Sequence, residues 1–89
     1  MDEDSPLQRA ARFARVLASD MLIYNRDLVA EAREDGNLKE VMDQEIQKSW
    51  ELWKSRYPEE SSNNPAIFSD ALNQYLGDGE EIFRSQDYT

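Results

Sequence analysis

The side chains that could do chemistry in this chain are carboxylates, amines and hydroxyls, because the sequence contains no histidine and no cysteine. Those two residue types supply most metal ligation, nucleophilic attack and proton transfer near neutral pH. Ser19, Ser49, Ser55 and Ser69 have no imidazole to take a proton, and a serine–lysine pair would need a buried lysine that the pattern does not provide. Di-metal helical bundles use Glu-x-x-His pairs, which are absent. Asp78-Gly79-Glu80-Glu81 is too short for a calcium loop and lacks its spaced ligands. With Gly36, Gly77 and Gly79 as the sole glycines, no phosphate-cradling loop exists either. The expectation is a non-enzyme with no metal and no cofactor.

Binding is what remains, and its material is apolar stripes on an acidic background. Net charge is −9 over 89 residues, unevenly spread. Between residues 5 and 30, Arg9, Arg12, Arg15 and Arg26 outnumber Asp20 and Asp27, a balance of +2. Residues 31–60 and 61–89 each carry −4, and Met1-Asp2-Glu3-Asp4 carries −3. Such a field repels phosphate backbones and anionic lipid, so neither nucleic acid nor membrane is expected as a ligand. No apolar run approaches the roughly 20 residues that cross a bilayer. The acidic N-terminus has the wrong charge for a secretory signal, and a cytoplasmic protein is expected.

The stripes require helices to position them. Ser5-Pro6-Leu7-Gln8 combines a capping serine, a proline suited to the first turn and a capping-box glutamine. Leu7, Ala10, Ala14, Leu17, Met21, Tyr24 and Leu28 then recur at spacings of three and four, with Phe13, Val16 and Ile23 as a second inward stripe beside them. Asn25 marks a break before a short helix near 26–34, although one bent helix from Pro6 to Glu34 fits the pattern equally. Asp35-Gly36-Asn37 ends this element. Leu38, Val41, Met42, Ile46, Trp50, Trp53 and Tyr57 mark a helix over 38–57, which Pro58 stops. Pro58 to Asn64 reads as a polar loop. Phe68, Ala71, Leu72, Tyr75 and Leu76 mark a helix over 65–76, closed by Gly77. The expected fold is a single all-α domain, a small bundle of three main helices plus one short helix. Residues 1–4 form an acidic arm. The tail, residues 80–89, carries Ile82, Phe83 and Tyr88; it either packs back on the helices or hooks a partner.

Several residues stand out as candidates for partner binding. Asp20 interrupts the second apolar stripe between Val16 and Ile23. It either sits at the edge of that face with a donor such as Arg12, Asn25 or Arg26, or enters a partner interface. Trp50 and Trp53 are core or interface anchors, with Trp50 expected inside and Trp53 or Leu52 more exposed. Arg9, Arg12 and Arg15 are a solvated face or meet an acidic patch on a second copy of this chain. Phe83 belongs to the hook reading of the tail.

The strings Arg12-Phe13-Ala14-Arg15-Val16-Leu17-Ala18-Ser19-Asp20-Met21-Leu22-Ile23-Tyr24-Asn25, Ser49-Trp50-Glu51-Leu52-Trp53 and Phe68-Ser69-Asp70-Ala71-Leu72-Asn73 resemble segments in small helical modules of uncharacterised bacterial proteins. Some of those modules are joined to a zinc ribbon. The resemblance spans roughly residues 8–83 and implies an all-helical, non-catalytic bacterial domain. It transfers no activity, and the ribbon cysteines are absent here.

The function expected is protein–protein interaction, as an adaptor or regulatory subunit in a bacterial assembly or signalling system. Its mechanism is a helix face with aromatic anchors inside a charged rim. Homodimerisation fits a chain with more apolar face than it can cover alone. Two readings from other classes stand beside it. One is an acidic mimic of a nucleic-acid ligand, held by salt-sensitive contacts. The other is a carboxylate-only enzyme, which requires a concave pocket around a carboxyl group of raised pKa.

Overall fold

The computed structural model describes residues 5–88; the acidic arm at 1–4 and Thr89 lie outside them. Six α-helices and one 3₁₀ turn make up the described chain, with no strand among these residues. The elements are α1 (Pro6–Tyr24), α2 (Arg26–Asp35), α3 (Leu38–Val41), α4 (Asp43–Arg56), α5 (Pro58–Asn63), α6 (Ala66–Tyr75) and the 3₁₀ turn Ser85–Asp87.

Local chemistry explains most of the boundaries. The Gln8 amide donates to Ser5 Oγ at 3.1 Å, and the Ser5 amide donates to Gln8 Oε1 at 3.0 Å. These reciprocal bonds satisfy two donors that the first turn leaves orphaned. Asn25 leaves helical geometry (φ −130°, ψ 36°), and its side-chain amide donates to the Met21 carbonyl at 2.9 Å. The 6–34 region is therefore two helices, not one. Gly36 takes the left-handed conformation that ends α2 (φ 74°).

Two segments differ from the sequence-based expectation. The helix expected over 38–57 is broken at Met42 (φ −98°, ψ 9°) into α3 and α4. Met42 is wholly buried, and the amides of Met42 and Ile46 still find carbonyls across the break. The stretch Pro58–Asn64, expected as a loop, is instead helical through Asn63. Proline excludes the helical region for Tyr57, yet its own fixed φ suits the first turn of α5. One residue ends a helix and starts the next.

Packing centres on α1 against α6, with α4 and α5 also touching α1. Ala10, Ala14 and Ala18 are fully buried, so α1 presents a narrow seam of small residues to its neighbours. The volume is filled from the other side. Trp50, Trp53, Phe68 and Tyr88 form an aromatic cluster with ring centroids 4.6–5.6 Å apart in its five contacts.

The tail is part of this core. Phe83 is 3% exposed, and the Tyr88 hydroxyl donates to the Pro65 carbonyl at 3.2 Å. The side chain of Asn73 grips the incoming strand of chain: its Nδ2 donates to the Phe83 carbonyl, and its Oδ1 accepts from the Ile82 and Phe83 amides. Arg33 reaches across from α2, its Nε donating to the Leu76 carbonyl at 2.7 Å. That places a cation on the carbonyl-rich end of α6. No described helix is long and apolar enough to cross a membrane.

Candidate functional site

The helix α1 has two unlike faces. Its alanine seam faces inward, whereas Arg12, Val16, Asp20 and Ile23 follow one another at spacings of four, four and three along the outside. Val16 is 46% exposed, Ile23 55% and Tyr24 82%. Just beyond the break, Leu28 of α2 is exposed as well. These four residues lie within positions 16–28; Leu7 and Leu52 are the other large apolar side chains exposed among the described residues. Single exposed apolar residues are ordinary, but here four fall close together in sequence, at the end of α1 and the start of α2.

Charged residues border that patch. Arg12, Arg15, Val16, Ser19, Asp20 and Tyr75 line a shallow depression of about 300 Å³. Arg15 also edges a smaller hollow with Ile67, Asp70 and Gln74, where α1 meets α6. The structure thus brings together three of the residues singled out by sequence: Arg12, Arg15 and Asp20. Arg9 is exposed one turn before them on the same helix.

Asp20 is exposed, so its charge stays in water and needs no buried donor. Leu52 is exposed on α4, next to the Glu51–Lys54 ion pair. The other two candidates are corrected. Trp53 has no exposed surface, and its indole N–H donates to the Ala10 carbonyl at 2.8 Å. It shares a helix face with Ile46 and Trp50, so both tryptophans turn inward, against Phe68. Phe83 is buried as well, its backbone held in place by Asn73. Trp53 has no surface to offer a partner, and Phe83 shows only an edge at 3% exposure.

Val16, Ile23 and Tyr24 were expected to face inward and instead form the exposed patch. The signal was present. Arg12 and Asp20 share the helical stripe of Val16 and Ile23, while the alanines mark the buried seam.

A second groove of about 400 Å³ lies between α3, α4 and the tail, lined by Lys39, Glu40, Asp43, Ile46, Phe83 and Asp87 among others. Lys39 pairs with Asp87 at 3.1 Å. The Arg84 amide, bonded to the Asp87 carboxylate at 3.0 Å, holds that carboxyl below its ordinary range, and Lys39 adds to the effect. A lowered pKa is the reverse of what a general acid working near neutral pH needs. Among the described residues, no group of three or more carboxylates could hold a metal ion. This chain matches no protein-family model, curated protein or solved structure with which it was compared.

Proposed function

We propose that this chain is a non-catalytic protein–protein interaction module that docks through the outer face of α1. The single observation that carries the reading is the exposed patch of Val16, Ile23, Tyr24 and Leu28, bordered by arginines in an otherwise acidic molecule. An apolar centre with a charged rim is the usual anatomy of a docking surface. The aromatic core, the capped helix ends and the pinned tail hold α1 as a rigid platform. On this reading the protein works in the cytoplasm as an adaptor or regulatory subunit of a bacterial assembly or signalling system.

The test is affinity capture with the wild-type chain and with Ile23→Glu, Arg12→Glu and Leu52→Glu. The reading expects Ile23→Glu and Arg12→Glu to lose a captured protein that Leu52→Glu retains. It also expects capture to persist at high salt, because apolar contact is not screened. Capture that vanishes in salt and ignores Ile23→Glu would favour an acidic mimic instead.

A further inference from the structure

We propose that the groove holding the tail takes the tail of a second copy, so that two chains exchange residues 82–88 across a two-fold axis. The inference goes beyond the reading of α1 and uses none of its exposed residues.

The contacts that hold the tail do not depend on its tether. Asn73 grips the backbone of Ile82 and Phe83. Tyr88 packs against Trp50 and Phe68 with centroids 4.6 and 5.2 Å away, and Asp87 pairs with Lys39 at 3.1 Å. Each of these joins residues 82–88 to the helices, so an identical tail from a partner makes the same set. The tail lies across the helices as a strap, because two hollows open beside Tyr88. Lys39, Glu40, Asp43 and Ile46 line one, and Glu51, Lys54, Pro58 and Pro65 line the other. An unrelated peptide would have to reproduce the rings of Phe83 and Tyr88 and the carboxylate of Asp87. Every second copy already carries all three.

The strain lies at the root of the tail. Asp78 is the one non-glycine residue with a left-handed backbone among the described residues (φ 55°), and Gly79 follows it at φ 89°. These two turn the chain back, so that Ile82 meets Asn73 of its own α6. The Gly79 amide donates to the Asn73 carbonyl at 2.8 Å, and the Glu80 amide to the Gly77 carbonyl at 3.0 Å. Asp78, Gly79 and Glu80 are exposed, so water replaces those bonds when the turn opens. Opening returns Asp78 to an ordinary negative φ, and the chain from Gly77 to Ile82 then spans up to about 17 Å. That length carries the tail to a partner whose α6 end lies across the axis. Exchange keeps every tail contact and relaxes the turn, at the cost of associating two chains. A tethered tail has an effective concentration on the order of millimolar, so the closed monomer prevails in dilute solution. Asp78, Glu80 and Glu81 approach their counterparts near the axis, and salt that screens them favours the dimer.

Sedimentation of the full chain in high salt tests the role of the turn. Asp78→Pro fixes φ at about −65° and cannot close the turn, so dimerisation is expected to strengthen at least about tenfold over wild type. Asp78→Gly suits the closed turn and is expected to weaken it. Asp78 is exposed, so neither change disturbs the core. An Asp78→Pro chain that stays monomeric, or that dimerises no better than Asp78→Gly, overturns the inference. A dimer that Ile23→Glu abolishes overturns it too, because contact would then run through α1.

The exchange itself is read from charge. In the Asp78→Pro background, one chain carries Lys39→Glu and a second carries Asp87→Lys, both at partly exposed side chains. Each chain alone sets like charges together, whereas a mixed exchanged dimer has opposite charges at both tail sites. Native mass spectrometry of the mixture is expected to show the mixed dimer severalfold above its random share. A mixed dimer at its random share overturns the exchange.

Discussion

The indole N–H of Trp53 donates to the main-chain carbonyl of Ala10, joining α4 to α1 across 43 positions of sequence. The bond fits the small side chain at Ala10, which lets the ring approach the backbone there. Trp53→Phe keeps most of the packing and loses this bond, and should cost about 1–2 kcal/mol. Trp53→Ala also opens a cavity beside Phe68 and should cost about 3–5 kcal/mol. Denaturant unfolding of the two variants against wild type measures both.

Asn73 uses one donor and one acceptor to tie down the tail, with bonds of 3.0, 2.9 and 2.7 Å. Asn73→Ala leaves the Phe83 carbonyl and two amides without those partners. The expected loss is about 2–4 kcal/mol, because stranded buried groups cost more than the bonds they lose. Limited proteolysis should then cut within residues 80–88 well before the helices. Equal protection in variant and wild type would show that ring packing alone holds the tail.

Gly77 and Gly36 are needed for different reasons. A Cβ at Gly77 would lie 2.8 Å from the Glu80 carbonyl oxygen and 2.9 Å from that of Asn73, so the turn after α6 must shift. Gly36 has open space around it but a left-handed backbone. Gly36→Ala should cost about 1 kcal/mol, a conformational penalty alone. Gly77→Ala should cost more, about 1–3 kcal/mol, because crowding strains the turn. Thermal melts of the two variants compare them directly.

Burial pushes the Tyr88 hydroxyl up to about 12, above the ordinary 10.0. Folding favours its neutral form, so its contribution is complete below pH 10 and declines as pH rises from 10 towards 12. The loss should be at most about 2 kcal/mol once partial solvent access is allowed for. Stability measured across that range should fall in wild type and fall less in Tyr88→Phe, which has no proton to lose. At the acid end, the lowered Asp87 carboxyl works in the other sense: its contribution holds above pH 3.8 and fades as pH drops below that.

Helix content and most helix ends were legible from the sequence because capping and glycine chemistry is local. Ser5, Gln8, Asn25 and Gly36 act within four residues of themselves. Two errors came from information that is not local. Pro58 was recognised as a stop, but its ability to start α5 depends on the segment having a surface to pack against, and α5 touches both α1 and α4. The first stripe of α1 is buried at Ala10, Ala14 and Met21 as read, whereas Val16 and Ile23 of the second are read as inward because Val and Ile weigh more than Ala in any apolar tally. The buried seam is chosen by how closely helices approach: α1 packs mainly on α6, and its alanines are fully buried. The same fact explains why Val16 and Ile23 stay exposed on α1.

Site-specific photo-crosslinking inside cells tests the central claim most directly. A photoreactive side chain at position 23 should join the chain to another polypeptide, whereas the same group at exposed Glu45 on α4 should not. Covalent adducts formed from position 23 alone are the expected result. Adducts formed equally from both positions, or from neither, would contradict the account.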